Sequence, residues 1–172
     1  MNPKDPSWFL LILALVALAR VAELVYAKAI GKKAAARGER PQQELNFVSM
    51  VALHTTFFVG IVTEKLTRAA ASPSWLLTLS AITLIFAFGL RVWTLKTLAG
   101  SWHVRILKPA TIVTHGPYAY IRHPNYLVVV LEILALPLLG GCYFSALIFT
   151  LWNAWVLAAR IPQEEAMLFQ IN

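Results

Sequence analysis

The chain has 172 residues, of which 59% are hydrophobic and only 13% charged, with a formal net charge of +7. Soluble domains carry about 25% charged residues, so this balance, with apolar runs too long for core helices, reads as an integral membrane protein of one domain. The positive charge excludes little by itself, but it is spread over loops between apolar runs; that is the pattern of cytoplasmic loops, not of a nucleic-acid partner. The single cysteine, Cys142, excludes an internal disulfide and a cysteine-based metal cluster, and reads as a small apolar residue in a helix turn.

Five spans follow in chain order, giving an all-α membrane bundle. The first covers about Ser7 to Ala29. The preceding segment pairs Lys4 with Asp5, has no small-residue cleavage site, and Arg20 and Glu23 close the apolar run, so a retained helix is expected rather than a signal peptide. After the loop "GKKAAARGERPQQEL" the second span runs from about Phe47 to Leu66. After "TRAAASPS" the third runs from about Trp75 to Leu95. The fourth, Tyr126 to Leu139, covers only roughly 21 Å, short of a ~30 Å hydrocarbon core. Gly140-Gly141 joins it to the fifth span, about Tyr143 to Ala159, as a tight helical hairpin. The loop bearing Lys28, Lys32, Lys33, Arg37 and Arg40 and the loop bearing Lys96, Arg105, Lys108 and Arg122 share one side. The other side has Lys4, Lys65 and Arg68. The positive-inside rule makes the two basic loops cytoplasmic and the N-terminus external.

The loop "LAGSWHVRILKPATIVTHGPYAYIRHPNY" is the richest in chemistry. Gly116-Pro117 signals a turn. Pro124 stands just ahead of the fourth span, with Asn125 the expected N-cap. Arg122 and His123 then flank a helix N-terminus, where free N–H groups and the dipole favour an anion; lipid-headgroup contact is the plainer reading. Glu132 lies six residues into the fourth span. An ionisable group there costs roughly 2.5–3.5 kcal/mol on insertion scales, so it should face a partner such as Arg91. Arg20 and Glu23 are three apart and can pair with each other. His54 and Asn153 read first as hydrogen-bonding residues between helices. Beyond the fifth span, "ARIPQEEAML" reads as a solvated helix start that brings Arg160, Glu164 and Glu165 to the side of Arg122 and His123. No G-x-G-x-x-G, G-x-x-x-x-G-K, H-E-x-x-H or G-x-S-x-G occurs, so there is no Rossmann domain, P-loop, zinc-protease helix or nucleophile elbow, and no metal is expected.

"HGPYAYIRHPNY", a Glu-bearing apolar helix, Asn153 in the next helix and "RIPQEE" together resemble the isoprenylcysteine carboxyl methyltransferase superfamily of integral membrane methyltransferases. Phospholipid methyltransferases and sterol reductases share parts of the pattern. The resemblance covers about Arg91 to Leu168, and its specificity lies in the order G-P-Y, R-H-P-x-Y, R-I-x-x-E-E. The N-terminal half, with "RVAEL", a basic loop and "VSMVALHTTFF", is similar to small bacterial members paired with type III polyketide synthases, which methylate the hydroxyl of long-chain alkylpyrones or alkylresorcinols. The resemblance implies one domain over residues 1–172. A three-helix half, 1–95, precedes a half, 96–172, made of the cofactor-binding loop, the helical hairpin and a cytoplasmic C-terminal segment. It implies S-adenosyl-L-methionine as cofactor, lined by His115, Gly116, Tyr118, Arg122, His123, Pro124, Tyr126, Glu164 and Glu165. Glu132, His123 and Arg122 are the catalytic candidates, with Arg20, Glu23, His54, Arg91 and Asn153 on the acceptor side. Val128 stands near where eukaryotic carboxyl methyltransferases tend to carry glycine, which weighs against a prenylcysteine acceptor.

The chemistry of that cofactor agrees with the residues. Arg122, His123 and the helix N-terminus suit its carboxylate, and Glu164 or Glu165 its ribose hydroxyls or ammonium. Methyl transfer is an in-line displacement that annihilates charge, and it gains from alignment and exclusion of water. A resorcinol hydroxyl, with a pKa near ~10, needs a base; His123 and Glu132 are the candidates. The lipid bilayer would deliver a lipophilic or prenylated acceptor. The rival readings are a carboxyl methyltransferase acting on prenylcysteine, an NADPH-dependent reductase of the sterol-reductase type, and a non-enzymatic scaffold binding headgroups.

Overall fold

Among the described residues the apolar runs form five α-helices: α1 Ser7–Ala36, α2 Phe47–Thr67, α3 Ser74–Leu98, α4 Pro124–Gly140 and α5 Tyr143–Phe169, with a short 3-10 turn at Gly116–Ala119. The computed structural model describes residues 7–36, 47–68, 71–98 and 113–169, and no strand occurs among them. Three helical segments among the described residues are long and apolar enough to cross a membrane: Ser7–Lys32, Ser74–Leu98 and Tyr143–Ala166. Their outer faces carry Leu11, Leu15, Ile82, Ile85, Phe88, Leu147 and Leu151, all more than half exposed. So large an exposed apolar surface suits a hydrocarbon surround. α4 is shorter, at 17 residues, or roughly 26 Å at ~1.5 Å per residue.

Two boundaries depart from expectation. α1 runs on past Ala29 through "KAIGKKAAA", because alanine and lysine are strong helix formers. α5 continues past Ala159 through Pro162, so Glu164 and Glu165 lie within its last two turns and do not begin a new helix. Proline inside a membrane helix is tolerated where neighbours re-satisfy the freed backbone groups; α4 carries a second example, Pro137.

α3 and α4 pack most intimately, α4 and α5 form the expected hairpin, and α2 lies against α5. The principal core joins Phe9 and Leu13 of α1 to Leu53, Phe57 and Ile61 of α2, Ile133 and Leu136 of α4, and Phe149 and Val156 of α5. At the hairpin tip Gly141 adopts φ 74°, the left-handed conformation that ends α4. A Cβ on Gly140 would run into the Phe9 ring, so glycine there lets α1 close onto the tip.

The tip is also tied electrostatically. Glu64 of α2 accepts hydrogen bonds from Phe144 N (3.0 Å), Ser145 N (2.7 Å) and Ser145 Oγ (2.6 Å). It thus caps the α5 N-terminus from another helix, satisfying donors that would otherwise be orphaned. Lys65 Nζ donates to the Gly140 carbonyl at 2.8 Å and Ser72 Oγ to the Leu138 carbonyl at 2.7 Å, which serves the free carbonyls ending α4. Cys142 is buried in this turn, as its small apolar character suggested.

Candidate functional site

Two polar clusters stand out in this apolar bundle: one at the end where α4 begins and α5 finishes, the other deeper, between α1, α3 and α4.

The first is built on "HGPYAYIRHPNY". Gly116 has φ 63°, and a Cβ there would run into the Thr97 side chain of α3, so the turn depends on glycine. The Pro117 carbonyl accepts from Tyr120 N (3.1 Å) and Ile121 N (3.0 Å), closing a turn seated on α3. It leaves His115 exposed and Tyr118 half-buried. Burial, then the nearby Glu164 charge, pushes the Tyr118 hydroxyl up to about 12, so it stays a neutral donor near neutral pH.

α4 begins at Pro124, and His123, not Asn125, is its N-cap, without a side-chain capping bond. Proline at the first helical position explains the shift: it has no N–H to satisfy and its φ is already helical. The anion site expected here is correspondingly thinner. Pro124 has no N–H, and Tyr126 N and Leu127 N both donate to the His123 carbonyl, at 3.1 and 3.2 Å. The side chains contribute more. The His123 ring stacks on Tyr126, with centroids 5.3 Å apart. Its Nε2 is 3.3 Å from Glu165 Oε1 and its Nδ1 3.8 Å from Glu164 Oε2. The Tyr126 hydroxyl donates to Glu164 Oε2 at 2.5 Å. Arg122 reaches Glu165 Oε1 at 3.7 Å, but its side chain is 84% exposed. One turn before Glu164, Arg160 is buried, with Nη1 2.6 Å from Met50 Sδ on α2. Asn125 Oδ1 is buried without a hydrogen-bond partner.

The second cluster is a ring of four charges. Glu23 Oε2 accepts from Arg20 Nη1 at 2.8 Å and from Arg91 Nη1 at 2.9 Å. Arg91 Nη2 donates to Glu132 Oε2 at 2.8 Å, and Arg20 Nη2 stands 3.7 Å from Glu132 Oε1. Both expected pairs, Arg20 with Glu23 and Glu132 with Arg91, are thus present, fused into one neutral ring that ties α1, α3 and α4. Arg91 is its most buried member, at 5% exposure. Opposing charges that share hydrogen bonds are the arrangement a low-dielectric interior tolerates.

His54 lies beside the ring on α2, within electrostatic reach of Arg91, Glu132 and Arg20. Its Nδ1 is 2.9 Å from the Met50 carbonyl. Asn153 is buried in α5, at 3% exposure, and no hydrogen bond or ion pair among the described residues joins it to the ring. The structure therefore gathers Arg122, His123, Tyr126, Glu164 and Glu165, and separately Arg20, Glu23, Arg91 and Glu132 with His54. Sequence reasoning left Arg160 and Asn125 without a place in the site. The i, i+4 spacing of Arg160 and Glu164 was the available signal for the first; nothing but adjacency to Pro124 marked the second.

A match to the isoprenylcysteine carboxyl methyltransferase (ICMT) family covers residues 79–170. The chain belongs to that family. It is a membrane methyltransferase of the isoprenylcysteine carboxyl methyltransferase type, and the family match takes in Arg91, Glu132 and the whole cluster where α4 begins. The chain is also similar to the uncharacterized protein YpbQ of Bacillus subtilis (strain 168), with 33% identity over 162 residues, covering 93% of this chain and 96% of that protein. No solved structure matches.

Proposed function

We propose that residues 1–172 form one S-adenosyl-L-methionine-dependent O-methyltransferase domain acting on the hydroxyl of a lipophilic acceptor, such as a long-chain alkylpyrone or alkylresorcinol. The observation that carries this reading is the convergence of His123, Tyr126, Glu164 and Glu165 from the two ends of the α4–α5 hairpin. The donor set fits the cofactor. Glu164, Glu165 and the orphaned, buried Asn125 Oδ1 supply acceptors for an ammonium and ribose hydroxyls. Arg122, exposed beside them, supplies a cation for a carboxylate. The bound cofactor would supply a methyl group on a sulfonium, an electrophile needing no metal. Tyr118, neutral at working pH, and the His123–Tyr126 stack would wall the pocket. The apolar outer helices would hold the acceptor's chain, leaving its head to reach inward.

Isothermal titration of the detergent-purified protein with S-adenosylhomocysteine and with NADPH tests the reading. Micromolar binding of the first alone is expected. Binding of NADPH alone would replace the methyltransferase by a reductase, and binding of neither would favour a headgroup-binding scaffold.

The same reading puts the cluster at the cytoplasmic face of a bacterial inner membrane, because Lys28 and Lys32 on α1 and Lys96 on α3 lie at the helix ends on that side. A cysteine introduced as Ala36→Cys, in a Cys142→Ala background, should resist an impermeant maleimide in intact cells and react after permeabilisation. Labelling in intact cells would invert the topology.

A further inference from the structure

We infer that His54 is the general base that takes the acceptor's hydroxyl proton, and hence that the acceptor is a phenol-like hydroxyl rather than a carboxylate. The inference rests on the O-methyltransferase reading above and specifies its acceptor side.

The tautomer comes first. A backbone carbonyl can only accept, so the 2.9 Å contact between His54 Nδ1 and the Met50 carbonyl puts the proton on Nδ1. In the neutral ring Nε2 then carries a lone pair, the form a base needs. The two other candidates are less available. His123 has both ring nitrogens directed at carboxylates, Nε2 at Glu165 and Nδ1 at Glu164. Glu132 has Oε2 committed to Arg91 and Oε1 facing Arg20. Glu64 is committed to the α5 N-terminus at the opposite end of the bundle, whereas the His54 ring has one nitrogen that no hydrogen bond above engages.

Position supports the assignment. His54 lies one helical turn, roughly 6 Å, from Met50 along α2. The Met50 sulfur touches Arg160, which stands one turn before Glu164 and interacts with Tyr126. His54 is therefore one turn deeper than Arg160 and about two turns deeper than Glu164, on the side from which a lipid-soluble head would approach. The charged groups acting on it are Arg20 from α1, Arg91 from α3 and Glu132 from α4, with Glu23 behind Arg91 and Arg160 of α5 beyond Met50. The Arg91 and Arg20 guanidinium groups, within electrostatic reach of His54, would favour an anionic oxygen formed beside it.

The step balances. The acceptor O–H gives its proton to His54 Nε2, the oxygen lone pair forms the new O–CH3 bond, and the S–CH3 bond breaks to leave the neutral thioether, S-adenosylhomocysteine. A carboxylate acceptor, already anionic at neutral pH, would have no use for the base.

The test compares parent and His54→Gln on 5-pentadecylresorcinol and on a ring-nitrated analogue that is ionised at the assay pH. S-adenosylhomocysteine titration and melting temperature are measured in parallel. We expect His54→Gln to keep cofactor binding and to lose about 100-fold or more in turnover on the parent resorcinol, within the range of general base catalysis. On the pre-ionised analogue the loss should shrink to a few-fold. Equal losses on both acceptors, or none on either, overturn the assignment. If the parent binds S-adenosylhomocysteine yet methylates neither phenol, the acceptor reading fails, and the inference with it. Should the variant not fold, the parent's pH profile decides. A rise through one ionisation on 5-pentadecylresorcinol that is absent on the analogue supports His54, and identical profiles overturn it.

Discussion

Arg91→Ala should destabilise the protein by about 3–5 kcal/mol, the scale of breaking a buried charge pair from one side. The reason is the geometry of its guanidinium. One nitrogen holds Glu23 at 2.9 Å and the other holds Glu132 at 2.8 Å. Alanine would leave two carboxylates facing a lone Arg20 inside an apolar bundle. It would also cut the tie between α1 and the α3–α4 pair. The effect should exceed that of Arg20→Ala, whose second contact, to Glu132, is already 3.7 Å and beyond a hydrogen bond. A neutral replacement of the ring, Arg20→Met, Glu23→Gln, Arg91→Met and Glu132→Gln together, should recover most of the stability, because what is costly is the stranded charge and not the absence of the ring. Thermal melting in detergent, read alongside graded unfolding in dodecyl sulfate, checks all three. If Arg91→Ala melts with the parent, the ring contributes nothing to folding. Glu132 would then be open to a purely chemical role.

The ring shows where reading the sequence reached and where it stopped. A glutamate six residues into an apolar helix must find a cation, and Arg91 was the one in the neighbouring span, so that pair was legible. So was Arg20 with Glu23, three apart on one helix face. That the two pairs fuse was not legible. It depends on the azimuth at which α1 meets α3 and α4, and α1 shows almost no one-sided apolar pattern, being hydrophobic all round where it crosses. The same limit hid Glu64 and Lys65. In sequence they look like a charged end of α2. Only the fold brings the α4–α5 turn to them, where one caps the start of α5 and the other the end of α4. The helix count and the hairpin at Gly140-Gly141 needed no such knowledge, since length, apolar runs and paired glycines carry them. The extent of α5 was misjudged because "ARIPQEEAML" reads as the start of a separate helix; Pro162 instead lies within α5, whose end is tied to α2 through Arg160 and to α4 through Glu164.

Glu164→Gln should weaken S-adenosylhomocysteine binding by roughly 10- to 100-fold, about 1.5–3 kcal/mol for the loss of a charge-assisted hydrogen bond in a partly buried site. Arg122→Ala should cost less, under about 1 kcal/mol. From sequence, Arg122 beside a helix N-terminus suits the cofactor carboxylate, and Glu164 or Glu165 its ribose hydroxyls or ammonium. The expected ranking follows from their exposure. Arg122 is 84% exposed and meets Glu165 only at 3.7 Å, so water screens whatever charge it offers. Glu164 is held by the Tyr126 hydroxyl at 2.5 Å and lies near Tyr118 and His123. It is therefore already oriented before any ligand arrives, and little ordering entropy is lost on binding. Tyr126→Phe separates orientation from charge: it removes the hydroxyl while keeping the stack on His123, and should fall between the other two variants. Calorimetric titration of the three proteins with S-adenosylhomocysteine at two salt concentrations reads the ranking directly, because an exposed Arg122 contribution should fade with salt and the Glu164 contribution should not. The reverse ranking, with Arg122→Ala abolishing binding and Glu164→Gln matching the parent, would move the cofactor out of the His123–Tyr126–Glu164 cluster and onto the exposed face of the loop.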